Sequence, residues 1–251
     1  MKLNVRDDSI GFGTNVLDIK VPDQLKNKIK SGVEYIDSAL GGEGFTPSQV
    51  VLFTGTPGAG KTTMLLTLAD KLTQAGNQVV FYTAEESLFQ VRLIVDRLGL
   101  KSGFAVGQET HVPSLLKKCD TVRNKAPNKP FFLLVDSLQC MDDGHYDDGS
   151  INSRSAERSL QLITEWSKKY YTNSLVIGQV NKSGKMAGTQ KLKHMVDAMM
   201  ELSVEEKDED FKGCRVLQTV KNRFGGCGAT HFLSIHSAGF KLVAKVAAYG
   251  G

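Results

Sequence analysis

The segment Gly55-Thr-Pro-Gly-Ala-Gly-Lys-Thr62 sets glycines, a lysine and a hydroxyl at the spacing that holds a polyphosphate. It matches GxxxxGK[ST] at every fixed position and lies between an expected strand and an expected helix. Gly58 and Gly60 let the backbone curl until several N–H groups converge on one phosphate. A helix starting near Thr62 adds the positive end of its dipole. Lys61 reaches the β- and γ-phosphates as a point charge, and the Thr62 hydroxyl ligates Mg²⁺. The expected ligand is ATP or a close relative with Mg²⁺, held by Gly55, Thr56, Pro57, Gly58, Ala59, Gly60, Lys61, Thr62 and Thr63.

Carboxylates supply the rest of such chemistry. Phe131-Phe-Leu-Leu-Val-Asp136 is an apolar strand ending in Asp. With a phosphate loop earlier in the chain, Asp136 is the expected second Mg²⁺ ligand, at the carboxyl end of the sheet. A base that polarises water must be a carboxylate near the γ-phosphate but off the metal. Glu85 and Glu86 close the strand 78–83; Glu85 is the first choice and Glu86 the alternative. Gln179 ends a further strand, where a polar side chain can touch the γ-phosphate and report its presence to the following loop.

These residues need strands and helices in alternation, and the pattern supplies them. Strands are expected at 50–54, 78–83, 131–136, 174–180 and 198–204. Helices are expected at 62–74, 87–98 and 155–171, with the end of another at 117–125. Ser31 is an expected cap for a short helix holding Ile36 and Leu40. After the acidic stretch 205–210 the pattern becomes strand–turn–strand, over 214–221, 229–236 and 239–245. Parallel α/β first and a β-rich end imply a doubly wound, mostly parallel sheet with antiparallel C-terminal strands.

Composition agrees with this architecture. The 251 residues are 41% apolar and 23% charged, which suits one large domain, 31–251. Residues 1–30 are polar and end rich in lysine, and read as an N-terminal extension, an arm for oligomerisation. No apolar run approaches the roughly 18 residues that span a bilayer. The N-terminus has no apolar core of a signal peptide, so a cytoplasmic protein with no membrane contact is expected. Cysteines 119, 140, 214 and 227 form no CxxC pair and read as free, mostly buried thiols. The net charge of +4 permits nucleic-acid binding without requiring it.

Over roughly residues 30–245 the chain resembles the RadA/Sms family of RecA-like DNA repair ATPases. The resemblance rests on the phosphate loop, Thr83-Ala-Glu-Glu-Ser87, Val135-Asp-Ser-Leu-Gln139 and Gly178-Gln-Val-Asn-Lys182. It continues through Met186-Ala-Gly188, His194-Met-Val-Asp197 and Lys221-Asn-Arg-Phe-Gly225. It implies a RecA-like P-loop core and a homo-oligomer, a hexameric ring, hydrolysing ATP at subunit interfaces. It also implies movement on single-stranded DNA in homologous recombination, by branch migration or unwinding. Partner proteins of recombination or replication belong to the same expectation. The alternatives are a nucleotide-switched assembly or loading factor without translocation, as in the KaiC-like branch, and a DnaB-like replicative helicase. The family's usual four-cysteine zinc finger and Lon-like domain are not in this sequence. Where the family has histidine, this chain has Gln179.

Two further sets of residues follow from the resemblance. Lys221 and Arg223, two apart, would point to one face of a strand. Directed at a neighbour's γ-phosphate, they would neutralise charge developing in the transition state, worth about 10³–10⁵ in rate. For single-stranded DNA the loop 142–154 offers Arg154, and the loop 181–193 offers Lys182, Lys185, Lys191 and Lys193. With no aromatic residue in the second loop, contact there would be to the backbone, tolerant of sequence and sensitive to salt.

Overall fold

The computed structural model describes residues 3–5, 8–179 and 189–247. Its strands are β1 Val50–Gly55, β2 Gln78–Thr83, β3 Ala105–Gln108, β4 Phe131–Asp136 and β5 Asn173–Ile177. They continue with β6 Ala198–Val204, β7 Arg215–Asn222, β8 Thr230–His236 and β9 Gly239–Val246. All belong to one sheet, ordered β3-β2-β4-β5-β1-β6-β7-β8-β9. The first six in that order run parallel, and β7, β8 and β9 add antiparallel. This is the mostly parallel α/β sheet with an antiparallel end that the sequence pattern implies.

Strand periodicity divides the core into two layers. Val51, Phe53, Val79, Phe81, Phe132 and Leu134 face one side and pack with Met64, Leu65 and Leu68 of α2 (Lys61–Gln74). α1 (Glu34–Ala39) and α3 (Leu88–Leu98) contribute Ile36 and Val91 to this layer. Val50, Leu52, Val80, Tyr82, Leu133 and Val135 face the other side. There they meet Leu115 of α4 (Val112–Arg123) and Leu160, Ile163 and Trp166 of α5 (Ser155–Tyr170). Trp166 is packing, as its helical spacing implies: it lies edge-on to Phe131 and donates to Asp120 at 3.1 Å.

Local signals set several ends. A capping box closes the start of α3: Ser87 Oγ accepts from Gln90 N–H at 3.2 Å, and Gln90 Oε1 accepts from Ser87 N–H at 2.9 Å. Gly99, in the left-handed region, stops the helix.

The structure departs from the sequence pattern in several places. β3 is an unexpected edge strand whose four residues are largely exposed, so no apolar run marks it. α6 (Thr189–Met195) occupies part of the stretch expected to be loop, which puts Lys191 and Lys193 on a helix. β5 ends at Ile177, short of the expected 180. Val33, not Ser31, is the N-cap of α1; the Ser31 hydroxyl accepts instead from Val33 N–H at 3.0 Å. Of the four free cysteines only Cys119 is buried, against the expectation that most would be.

Candidate functional site

The phosphate loop turns sharply off β1 because Gly55 has room for nothing else. A Cβ there would stand 2.0 Å from the carbonyl oxygen of Leu202 on β6. Gly58 and Gly60 take φ of 75° and 104°, the left-handed region. α2 then starts at Lys61, one residue before the expected start, with Gly60 as its N-cap. The Lys61 ammonium donates to the carbonyls of Gly55 and Thr56, each at 3.0 Å, so it lies across the loop's mouth. Burial lowers its pKa, opposed by the carboxylates of Asp136 and Glu85.

Residues from five strands or their ends meet in a cleft of about 420 Å³ beyond the carboxyl ends of the parallel strands. Its walls include Gly55, Pro57, Gly58, Gly60, Lys61, Thr62 and Thr63, together with Glu85, Asp136, Gln179 and Ile235. Thr56 adjoins the loop with its backbone N–H on Leu202 O at 3.2 Å, and Ala59 is fully buried beneath it. The β8–β9 hairpin roofs the loop: Phe240 and Ile235 both lie against Gly60. Ile235 and Phe240 escaped sequence reading because apolar residues on an alternating strand carry no chemical signal.

Thr62 Oγ1 donates to Asp136 Oδ2 at 2.5 Å, bringing together the hydroxyl and carboxylate expected for the metal. Burial pushes the Asp136 carboxyl up to about 6, and the nearby Glu85 and Glu86 carboxylates add to this against the Thr62 hydrogen bond and Lys61. Hard oxygen donors, with further carboxylates close by, fit Mg²⁺.

Glu85 Oε1 accepts hydrogen bonds from the Ser137 hydroxyl and, at 2.6 Å, from Gln179 Nε2. Cys140 Sγ lies 3.7 Å from the same oxygen, and burial followed by Glu85 raises its pKa. Glu85 thus lies in the cleft wall. Glu86 instead has its backbone N–H on the Thr83 hydroxyl at 2.9 Å, and its side chain is not in the wall. Ser137 and Gln139 were missed as individual residues, although the motif containing them was visible.

Lys221 and Arg223 lie elsewhere. Asn222 pairs with Ala198, which pairs with Val51, whereas the phosphate loop begins at Gly55, level with Leu202. Four strand residues, roughly 13 Å at about 3.3 Å each, separate those levels along the sheet. Lys221 donates to the carbonyls of Lys193 and Val196 at 2.6 and 2.7 Å. Burial, then the charge of Arg223, lowers its pKa. Arg223 falls one residue past the end of β7, so the two are not both on a strand, but it turns to the same neighbourhood. Its Nη1 lies 3.2 Å from Asp197 Oδ1.

Arg154 is exposed at the N-cap of α5, and the loop before it uses carboxylates internally: Asp143 holds Arg158, and Asp142 accepts from Gly144 N–H at 2.8 Å. Lys191 is 3.8 Å from Glu157, and Lys193 meets Lys221 through its carbonyl. Lys182 and Lys185 lie outside the described residues. Among the described residues, Lys191 approaches the first turn of α5, whose N-cap is Arg154.

The chain is similar to several known proteins. The family model described as "ATPase: KaiC" matches residues 29–108. The DNA repair protein RadA of Aquifex aeolicus is 30% identical over 220 residues, covering 87% of this chain and 47% of that protein. RadA of Streptococcus pneumoniae is 33% identical over 217 residues, covering 85% and 48%. The chain is a RadA-type, RecA-like ATPase core. It spans about half the length of these curated relatives. In fold, this RadA-type core is similar to a solved ATPase domain, with TM-score 0.74 at 15% identity, covering 88% of this chain and 93% of that one. A KaiC-like protein of Pyrococcus horikoshii OT3 aligns with TM-score 0.67 at 20% identity, covering 87% and 99%. No helix among the described residues is long and apolar enough to cross a membrane.

Proposed function

We propose that this core hydrolyses ATP in sites shared between adjacent copies of a ring, hexameric as the family resemblance suggests, and uses the cycle to move on single-stranded DNA in repair and recombination. The carrying observation is the remoteness of Lys221 and Arg223 from the phosphate loop of their own subunit. Cations that cannot reach their own site are suited to a neighbour's. The exposed apolar side chains of Phe12, Val16 and Leu17 in the N-terminal extension support an arm that docks on another copy. The RadA relatives, DNA repair proteins by name, support the cellular role, in the cytoplasm.

In this mechanism the loop N–H groups and Lys61 bind the β- and γ-phosphates. Thr62 and Asp136 would hold Mg²⁺, which when bound neutralises phosphate charge. Glu85 accepts the proton of the attacking water, oriented by Ser137. Gln179 meets the γ-phosphate in exchange for Glu85. Lys221 and Arg223 of the neighbour offset the charge that develops during transfer, on the order of 10³–10⁵ in rate.

A mixing experiment tests the shared site. Lys61→Ala and Arg223→Ala chains should each be inactive alone. Mixed, they form sites with an intact phosphate loop from one and intact cations from the other, so ATPase activity returns. No recovery in an assembled mixture sinks the shared-site reading. The match to the KaiC model favours a second reading, a nucleotide-switched assembly factor that does not translocate. A branch-migration assay at saturating ATP separates the two, because only the motor displaces strands.

A further inference from the structure

We propose that Gln139 is a positioning residue: its side-chain amide clamps the Gln179 peptide, so that the Gln179 side chain is held where it can exchange Glu85 for the γ-phosphate. The proposal rests on the ATP-hydrolysing reading above.

A short 3-10 turn, Leu138–Cys140, follows β4, and its side chains divide into an anchor and a working edge. Leu138 is fully buried among the side chains on the α5 face of the sheet and fixes the turn. Ser137 and Cys140 face Glu85. Gln139 faces the end of β5. Its Oε1 accepts the Gln179 backbone N–H at 2.9 Å, and its Nε2 donates to the Gln179 carbonyl at 3.4 Å. A primary amide can offer an acceptor and a donor to one residue's backbone at once.

The position of this clamp matters. Gly178 N–H still belongs to the sheet, donating to Phe53 O at 2.9 Å. Gln179 is the first residue beyond that ladder, and its N–H goes to Gln139. The backbone of residue 179 is thereby pinned while its side chain, 2.6 Å from Glu85, can rotate. A phosphate oxygen that draws the Gln179 amide away from Glu85 leaves Ser137 on that carboxylate. The pinned peptide keeps that exchange a rotation of the Gln179 side chain, instead of letting it dissipate in backbone drift. These bonds are exposed, where water readily substitutes, so they contribute little to holding the fold.

The test uses the full chain with Gln139→Leu, which loses both bonds, and Gln139→Glu, which keeps the oxygen acceptor for Gln179 N–H. Amide hydrogen exchange at Gln179 should quicken in the leucine variant and stay near wild type in the glutamate variant. The kcat for ATP should fall about 10- to 100-fold in the leucine variant, the size expected when a reacting group is misplaced, with KM little changed. The glutamate variant should recover most of that kcat. Unchanged exchange at Gln179 in the leucine variant overturns the clamp, and quicker exchange with an unchanged kcat overturns its role in the reaction. A wild-type chain that does not hydrolyse ATP sinks the proposed function instead, while the exchange comparison still judges the clamp.

Discussion

Arg223→Ala should separate activity from stability, because the pair it forms with Asp197 is lopsided. The Asp197 side chain is 1% exposed, and the Arg223 side chain is 52% exposed. The carboxylate does not depend on Arg223. It also accepts from Val50 N–H at 2.9 Å and from the Lys168 ammonium. Losing an ion pair with a half-solvated partner costs about 0–1 kcal/mol. For a chain of this length that is a fall in Tm of no more than about 4 °C. Asp197→Ala is a different change. It removes a buried carboxylate and leaves Lys168, itself 21% exposed, without its partner. Breaking a buried pair costs about 3–5 kcal/mol, and the matching fall in Tm is roughly 6–20 °C. Thermal unfolding read by circular dichroism, beside steady-state ATPase at a concentration that keeps the ring assembled, measures both effects. Arg223→Ala should be folded and nearly inactive. If it loses as much Tm as Asp197→Ala, Arg223 is a structural anchor of the sheet end and is not held in readiness for a neighbour.

Other expectations follow from particular contacts. Gly55→Ala should abolish nucleotide binding, measured with a fluorescent ATP analogue, because the new methyl meets backbone at Leu202 that cannot move aside; retained binding would refute the close-approach account. His231 is fully buried. Burial, then the charge of Lys245, lowers its pKa, while a hydrogen bond with the Ala229 backbone and then the charge of Glu34 oppose. The unfolded chain therefore takes up this proton first as pH falls. The stability His231 contributes is complete above its ordinary value near 6.5 and is lost as pH drops toward the lowered folded value. Urea midpoints at pH 7.5 and 5 should differ less in His231→Leu than in wild type, and equal differences would refute this. Lys182→Ala and Lys185→Ala should each reduce the stimulation of ATPase by single-stranded DNA and lower the salt slope of binding by about 0.7. Lys191→Ala, paired with Glu157, should change both less.

What could be read from sequence divides along a physical line. Asp136 and the phosphate loop were legible because their chemistry dictates residue type and spacing at once: glycine for left-handed turns, lysine and threonine for phosphate and metal, an apolar strand ending in a carboxylate. The strands β1, β2 and β4 were legible because burial on both faces makes a continuous apolar run. β3 was not, since an exposed edge strand needs no such run, and its parallel register with β2 is set by tertiary pairing. α6 was hidden by its shortness and by lysines that also suit a loop. The contacts of Lys221 and Arg223 were not visible either, because they join β7 to Lys193, Val196 and Asp197, residues 25 or more positions away. Those contacts have a consequence for coupling. In the proposed shared site, the ammonium that would serve a neighbour's phosphate is the same one that binds the carbonyls of Lys193 and Val196. It has three N–H donors and two are taken, so reaching a phosphate must weaken at least part of its hold on α6 unless the third suffices. On that proposal, nucleotide in one subunit and α6 in the next would compete for one side chain. If Lys221→Met left α6 as protected from amide exchange as in wild type, that competition would have no structural basis.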